Sequence, residues 1–256
     1  MKKVKILIPR KYRFKAKYIY YQIRGLVALL YKGNKFVCPC CNGHFRKFFP
    51  YAGKSNSQCP RCDSEERHRL LWLYLKNRTD LLFYNNKIKL LHIGPEYCIQ
   101  KLLLELPNVD YVSVDLNASL AMIKADITNI PFKNDSFDVI ICLHVLEHIV
   151  EDQKAMKELY RVLKPGGWGI LQSPIDSKRD RTFEDSKITS PEDRARIFGQ
   201  RDHVRIYGLD YKERLEKAGF IVKVDSYVKE LGENMIQKYG LMKEEDIYFC
   251  IKPKIK

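Results

Sequence analysis

Eight cysteines occur along 256 residues, and five of them fall between positions 38 and 62. Cys38-Pro-Cys40-Cys41 and Cys59-Pro-Arg-Cys62 are two C-x-x-C knuckles separated by 17 residues. Each such turn aims two thiolates at one centre, and two turns close a tetrahedron, the pattern of a ribbon-type zinc site. The predicted ligands are Cys38, Cys41, Cys59 and Cys62. The spacing makes Cys40 a bystander, with replacement of one ligand by Cys40, or recruitment of His44, left open. Four thiolates leave no vacant coordination position, so zinc here is expected to be structural. It would hold residues 37–63, a module too poor in apolar residues to fold alone. Cys98, Cys142 and Cys250 sit in apolar runs and read as buried filler.

A second concentration of chemistry lies further on. His144-Val-Leu-Glu147-His148 places two imidazoles and a carboxylate within five residues. The segment 174–208 then gathers Asp176, Arg179, Arg181, Glu184, Asp185, Asp202, His203 and Arg205. An imidazole titrating near neutrality can take a proton from a hydroxyl, and paired arginines can hold a phosphate or carboxylate. H-x-x-E-H also matches a helical metalloprotease motif. Here it directly follows a buried strand, which argues against that reading.

Stepping outward along the chain, Ile88–Ile93, Tyr111–Val114, Met122–Ala125, Phe137–Cys142 and Trp168–Gln172 read as strands. Helical periodicity over Cys98–Leu106, Glu151–Leu163 and Tyr211–Ala218 alternates with them. Phe220–Ser226 and Ile247–Lys252 add two late strands. Strand and helix in alternation predict an α/β fold, a mostly parallel sheet covered on both faces. Ser64 is predicted to cap a helix beginning with Glu65 and Glu66. In such a sheet the ligand lies beyond the carboxyl ends of the strands, where strand order switches.

The stretch FDVIICLHVLEHIVEDQKAMKELYRVLKPGG, from Phe137 to Gly167, resembles the fourth and fifth motifs of class I S-adenosylmethionine-dependent methyltransferases. The resemblance implies a seven-stranded Rossmann-like sheet with an antiparallel edge over residues 64–256, and 174–208 as an acceptor-site insertion. It also implies the cofactor residues. Gly94 would admit the methionine part, Asp115 would accept both ribose hydroxyls, and Asp126 with Ile127 would read the adenine. Leu116, Leu143 and His144 would close over the ligand. The first loop, His92-Ile-Gly94-Pro-Glu96, has one glycine where the family usually has two or three, so His92 and Glu96 are expected to take cofactor contacts instead. For methyl transfer to a hydroxyl, His203 is the first choice as base and His144 the second. The alternative for His203 is a structural link to Asp202 or Arg205. Arg181, Asp202, Arg205 and Tyr207 would hold the acceptor. Glu147 and His148 are expected to orient the loop, with bound metal there as the rarer option.

From Val37 onward the chain is also similar to an uncharacterised bacterial group that joins cysteine knuckles to a methyltransferase domain. That group carries a late segment like Phe198-Gly-Gln-Arg-Asp202-His203-Val-Arg205-Ile-Tyr207-Gly208. Its association with polysaccharide loci implies a sugar or glycan-precursor acceptor.

Charge is distributed unevenly. Residues 1–69 hold 17 Lys/Arg against three acids, and the remainder 29 against 28. The formal net charge of +15 is therefore a property of the first quarter, which weakens a reading as a nucleic-acid tracker built around its active site. Residues 1–36 carry eleven basic residues, no acid, and interleaved Tyr12, Phe14, Tyr18, Tyr20 and Tyr21. Such an arm can rest on an anionic membrane surface; a solvated helix or a disordered arm is the plain alternative. Its apolar run is too short to span a bilayer, and with no cleavage signal the cytoplasm is expected. Two rival functions stand beside glycan O-methylation. One is an rRNA or tRNA methyltransferase that grips RNA with arm and module. The other is a cofactor-binding module without catalysis.

Overall fold

The computed structural model describes residues 10–83, 86–116 and 120–254, with the backbone alone for 10–18. The chain divides into two compact units that do not follow the simple order of the sequence. One comprises residues 1–82, 96–105 and 228–245, the other 83–95, 106–227 and 246–256. The expected boundary at residue 64 is therefore corrected. Helices Glu66–Arg78, Tyr97–Leu104 and Gly232–Tyr239 group with the cysteine module rather than with the sheet.

The reason is legible in one side chain of the first unit. Arg69, in helix Glu66–Arg78, is fully buried. It donates to the carbonyls of Ser57 (2.8 Å), Ser64 (2.6 Å), Tyr239 (2.7 Å) and Gly240 (2.6 Å). A guanidinium has five donors in a rigid fork, and here they tie three chain segments together while its carbon lies 4.5 Å from the Phe48 ring centroid. Around it stand two hairpins, Lys32–Cys38 with Gly43–Phe45 and Phe49–Tyr51 with Lys54–Gln58. Phe36, Phe45 and Phe48 pack as an aromatic cluster. The first helix, Arg10–Leu29, leaves Ile19, Ile23, Leu26 and Leu29 exposed, as is Leu30 just beyond it. No helix among the described residues is long and apolar enough to cross a membrane.

The second unit is built on one sheet, whose strands are numbered here along the chain: β1 (Ile88–Ile93), β2 (Val109–Asp115), β3 (Ile123–Lys124), β4 (Phe137–Leu143), β5 (Leu163–Gln172), β6 (Ile221–Asp225) and β7 (Ile247–Ile251). Their order is β6-β7-β5-β4-β1-β2-β3. β1, β2, β3, β4 and β5 pair in parallel, and β7 inserts antiparallel between β5 and β6. β1 thus has β2 on one side and β4 on the other, which opens a crevice at their carboxyl ends. β4 is apolar along nearly its whole length because both faces of a central strand are covered. Helix Asp152–Val162 buries Ala155, Met156, Leu159 and Val162. It passes without a loop into β5, so Lys164-Pro-Gly-Gly167 opens the strand instead of preceding it. A Cβ on Gly167 would stand 2.8 Å from the Asp138 carbonyl, which is why a glycine sits there.

The segment 174–208 carries its own small framework. Phe183–Glu184 pairs antiparallel with Arg205–Ile206, and helix Pro191–Phe198 lies between them in sequence. That helix has Ser190 at its N-cap, accepting from Asp193 N–H at 3.1 Å, Pro191 in its first turn and Gly199 left-handed at its end.

Candidate functional site

The switch point is shaped by Gly94. Its φ is +60°, and its N–H donates to the Val114 carbonyl at 2.9 Å, bending the chain off β1. A Cβ there would lie 2.7 Å from Val145 Cγ2 and 3.9 Å from Asp115 Oδ2. One glycine therefore brings the ends of β1, β2 and β4 together, and the Asp115 carboxylate stands at that junction. Asp126 is exposed, and its Oδ1 accepts from the Thr128 N–H at 2.8 Å. His144 follows β4 with φ +51°, a left-handed conformation unusual for a residue with a Cβ. Its N–H donates to the Gln172 carbonyl at 2.8 Å, and about a quarter of its side chain is exposed. Strain of this kind persists only where neighbours hold it.

The remaining predicted cofactor residues divide. Leu116 is exposed, while Ile127 and Leu143 are buried with their side chains in the core. His92 is fully buried, with Nδ1 3.0 Å from the Tyr111 hydroxyl on β2, so its side chain braces the sheet. Glu96 belongs to the first unit. It takes Arg67 at 2.8 Å and also pairs with His68. Burial would raise its carboxyl, but His68 and Arg67 hold it well below the usual carboxylate range. The expectation of a cofactor contact from His92 and Glu96 gives way to these structural engagements. Val145 was missed in the sequence, where nothing distinguishes it from a core valine.

Beyond β4 a polar cluster forms. Leu146–His148 is a single 3-10 turn, and Val204 N–H donates to the Glu147 carbonyl at 3.0 Å, bringing His203 beside it. The rings of His148 and His203 meet edge to face with centroids 4.7 Å apart. Glu147 is buried, with Oε2 accepting from Ser173 Oγ at 3.0 Å and Oε1 3.6 Å from His144 Nδ1. Burial and the neighbouring His148 push the His203 imidazole below its ordinary pKa, so it is neutral near pH 7.

Two predicted acceptor residues turn out to be structural. Arg205 is buried and donates to the carbonyls of Leu146, Ile149 and Val150 and to the Glu184 carboxylate. Tyr207 is fully buried, donating to Asp152 Oδ2 at 2.7 Å. Their polar atoms are already engaged, so neither offers a group to an acceptor. Arg181 and Asp202 are exposed and reachable by a ligand; Arg181 pairs with Glu213 at 2.6 Å.

In the first unit the four predicted thiols converge. Cys38 Sγ lies 3.6 Å from Cys62 Sγ, and Cys41 Sγ 3.7 Å from Cys59 Sγ. A disulfide needs about 2.05 Å, whereas the edge of a tetrahedron with ~2.3 Å zinc–sulfur bonds is ~3.8 Å. The donor set fits a metal. Cys40 is not one of the four, and its Sγ lies 3.6 Å from the His68 carbonyl. Ser64 does not cap the helix. Its Oγ lies 3.1 Å from Cys38 Sγ and 3.2 Å from Cys62 Sγ, and the N-cap is Glu65, whose N–H donates to His68 Nδ1 at 2.9 Å.

Residues 99–171 match the model of a methyltransferase domain. Among curated proteins, sterol 4-C-methyltransferase strm-1 of Caenorhabditis elegans is 35% identical over 28% of this chain and 21% of its own length. A demethylmenaquinone methyltransferase of Clavibacter sepedonicus is 49% identical over 18% of each chain. Human probable tRNA methyltransferase 9B is 32% identical over 33% of this chain and 19% of its own. The chain thus spans about a fifth of the length of these relatives. Of solved structures, the [4+2]-cyclase SpnF is 17% identical, covering 82% of this chain and 87% of that one with a TM-score of 0.53. Strand order, glycine-bounded crevice and domain match agree: the chain has the Rossmann-like fold of class I methyltransferases, and its residues 99–171 are similar to a methyltransferase domain.

Proposed function

We propose that this protein transfers the methyl group of S-adenosylmethionine to a hydroxyl of a sugar or glycan precursor. The observation that carries this reading is the junction of Gly94, Asp115 and Val145, with an imidazole cluster past the end of the same β4. A carboxylate at the end of β2 can accept both ribose hydroxyls. In the transfer, an oxygen lone pair forms the C–O bond as the C–S bond breaks and sulfur keeps the electron pair. The hydroxyl proton passes to an imidazole of the cluster, His203 or His144. The enzyme's task is chiefly alignment and this proton transfer.

Zinc held by Cys38, Cys41, Cys59 and Cys62 supports the fold of the first unit in this reading. The exposed Ile19, Ile23, Leu26 and Leu30, after an acid-free basic stretch, favour an anionic lipid surface and hence a lipid-linked acceptor. RNA methylation is the second reading, favoured by the same basic charge.

Calorimetric titration of the zinc-assayed protein with S-adenosylhomocysteine tests the first step, and labelled cofactor with sugar nucleotides, glycolipids and RNA tests the second. Cofactor binding with label on glycans is expected. Label on RNA, with salt-sensitive binding lost when the lysines of 1–69 are neutralised, selects the second reading. Cofactor binding without turnover on any acceptor leaves a binding module.

A further inference from the structure

We infer that Glu147, His148 and His203 form a binding site for one first-row divalent cation, separate from the four cysteines. One carboxylate oxygen and one nitrogen from each imidazole lie within 4.8 Å of one another. Tetrahedral donors at bonds of ~2.1 Å stand ~3.4 Å apart, so closing on a cation draws the side chains together by up to about 1.4 Å. Two imidazoles and a carboxylate suit Mn, Fe, Co or Zn and leave positions open for other oxygen ligands.

Proximity alone would also describe an ordinary polar loop. What sets this cluster apart is how each donor is held from behind. Ser173 Oγ donates to the second oxygen of Glu147 at 3.0 Å. His148 Nδ1 lies 3.3 Å from the Asp202 carbonyl and 3.5 Å from its carboxylate, which directs Nε2 to the other side of the ring. His203 has a hydrogen bond to the backbone of Phe198. A metal-binding imidazole characteristically gives its other nitrogen to a carbonyl or carboxylate, and a ligating carboxylate is itself hydrogen-bonded. Glu147 and His148 meet that condition with named atoms, and the Phe198 backbone stands beside the His203 ring. Glu147 and His203 are also buried, where a carboxylate needs compensation.

The rest of the segment fits this task. His203 lies 55 residues beyond His148 in sequence, and the Val204–Glu147 backbone bond together with Arg205 on the Leu146, Ile149 and Val150 carbonyls fastens the two stretches. Arg205 is in this sense a positioning residue. The site stands whether or not the chain transfers methyl groups. Where it does, the cation binds the acceptor hydroxyl and lowers its pKa, His203 serves as a ligand, and His144, 3.6 Å from Glu147, takes the proton.

The test is a Mn2+ titration of the full-length, zinc-loaded protein followed by electron paramagnetic resonance. Mn2+ prefers nitrogen and oxygen donors to thiolates, so it reports this site and spares the cysteines. One Mn2+ per chain is expected, with Glu147→Gln, His148→Gln and His203→Ala each weakening it at least about tenfold. Asp115→Ala should leave it unchanged. Retained S-adenosylhomocysteine binding, or a native circular dichroism spectrum, shows that each variant is folded. Absence of bound Mn2+ in the parent protein, or equal affinity in folded variants, overturns the site. Mn2+ binding without S-adenosylhomocysteine binding keeps the site and removes the methyl-transfer reading. The reverse result does the opposite.

Discussion

Asp115 and Gly94 are the two residues whose change should be felt most sharply at the crevice. With Asp115 accepting the ribose hydroxyls as proposed, Asp115→Ala removes two hydrogen bonds to a charged acceptor, so S-adenosylhomocysteine affinity should fall about a hundredfold or more with an unaltered circular dichroism spectrum. Normal binding by that variant would place the cofactor elsewhere. Gly94→Ala adds a methyl against Val145 at a positive φ and should cost about 1–2 kcal/mol of stability as well as affinity, read by thermal melting and calorimetry. A quieter residue gives the pH prediction. Burial pushes the Glu245 carboxyl up to about 7. The unfolded chain ionises it near 4.3, so folding holds that proton and its full stability exists only below the unfolded value. Stability is then lost as pH rises through the folded value. Glu245→Gln should raise the melting temperature at about pH 8 and change it little at about pH 4; equal shifts at both would show that the carboxyl is ordinary.

At the scale of elements, the turn Leu146–His148 and the strand Arg205–Ile206 behave as one piece. Arg205 is buried against three carbonyls and the Glu184 carboxylate, and Asp152 is shared by Tyr207 and Arg214. Arg205→Met should cost about 3–5 kcal/mol, seen as a lower denaturation midpoint, while Arg181→Met on the exposed face should change stability by well under 1 kcal/mol. The strands were legible because a central parallel strand must be apolar throughout and must end where polarity begins. Phe137–Cys142 announces itself in that way, and so do the acids and histidines beyond the strand ends. Arg205 and Tyr207 misled for a physical reason: a cation and a phenol near histidines look the same in sequence whether they meet a ligand or a backbone carbonyl. Helix Gly232–Tyr239 was not anticipated, because only Ile236 of its eight residues is buried and its apolar face is narrow. Glu96 reads in sequence as a loop residue of the crevice because its partners, Arg67 and His68, lie almost thirty residues earlier.

For the whole molecule, a metal held by the four thiols, as proposed, would share with the buried Arg69 guanidinium the work of closing the first unit. A module with four short strands has little core of its own, so removing the ion should matter. Chelation, or Cys59→Ser, is expected to lower the melting temperature and expose the first unit to proteolysis, with zinc release measured alongside. Full zinc loss without a change in melting would assign the thiols another task.

The three-part composition of that unit has a temporal meaning. As the chain is synthesised from its amino end, both cysteine knuckles are complete by residue 62, yet two of the carbonyls that Arg69 needs belong to Tyr239 and Gly240. An ion can be captured early, while the guanidinium must wait until residues 239 and 240 emerge. A ribosome stalled before residue 239 would therefore display a metal-loaded but unlatched module, recognisable by protease sensitivity that disappears once the chain is released.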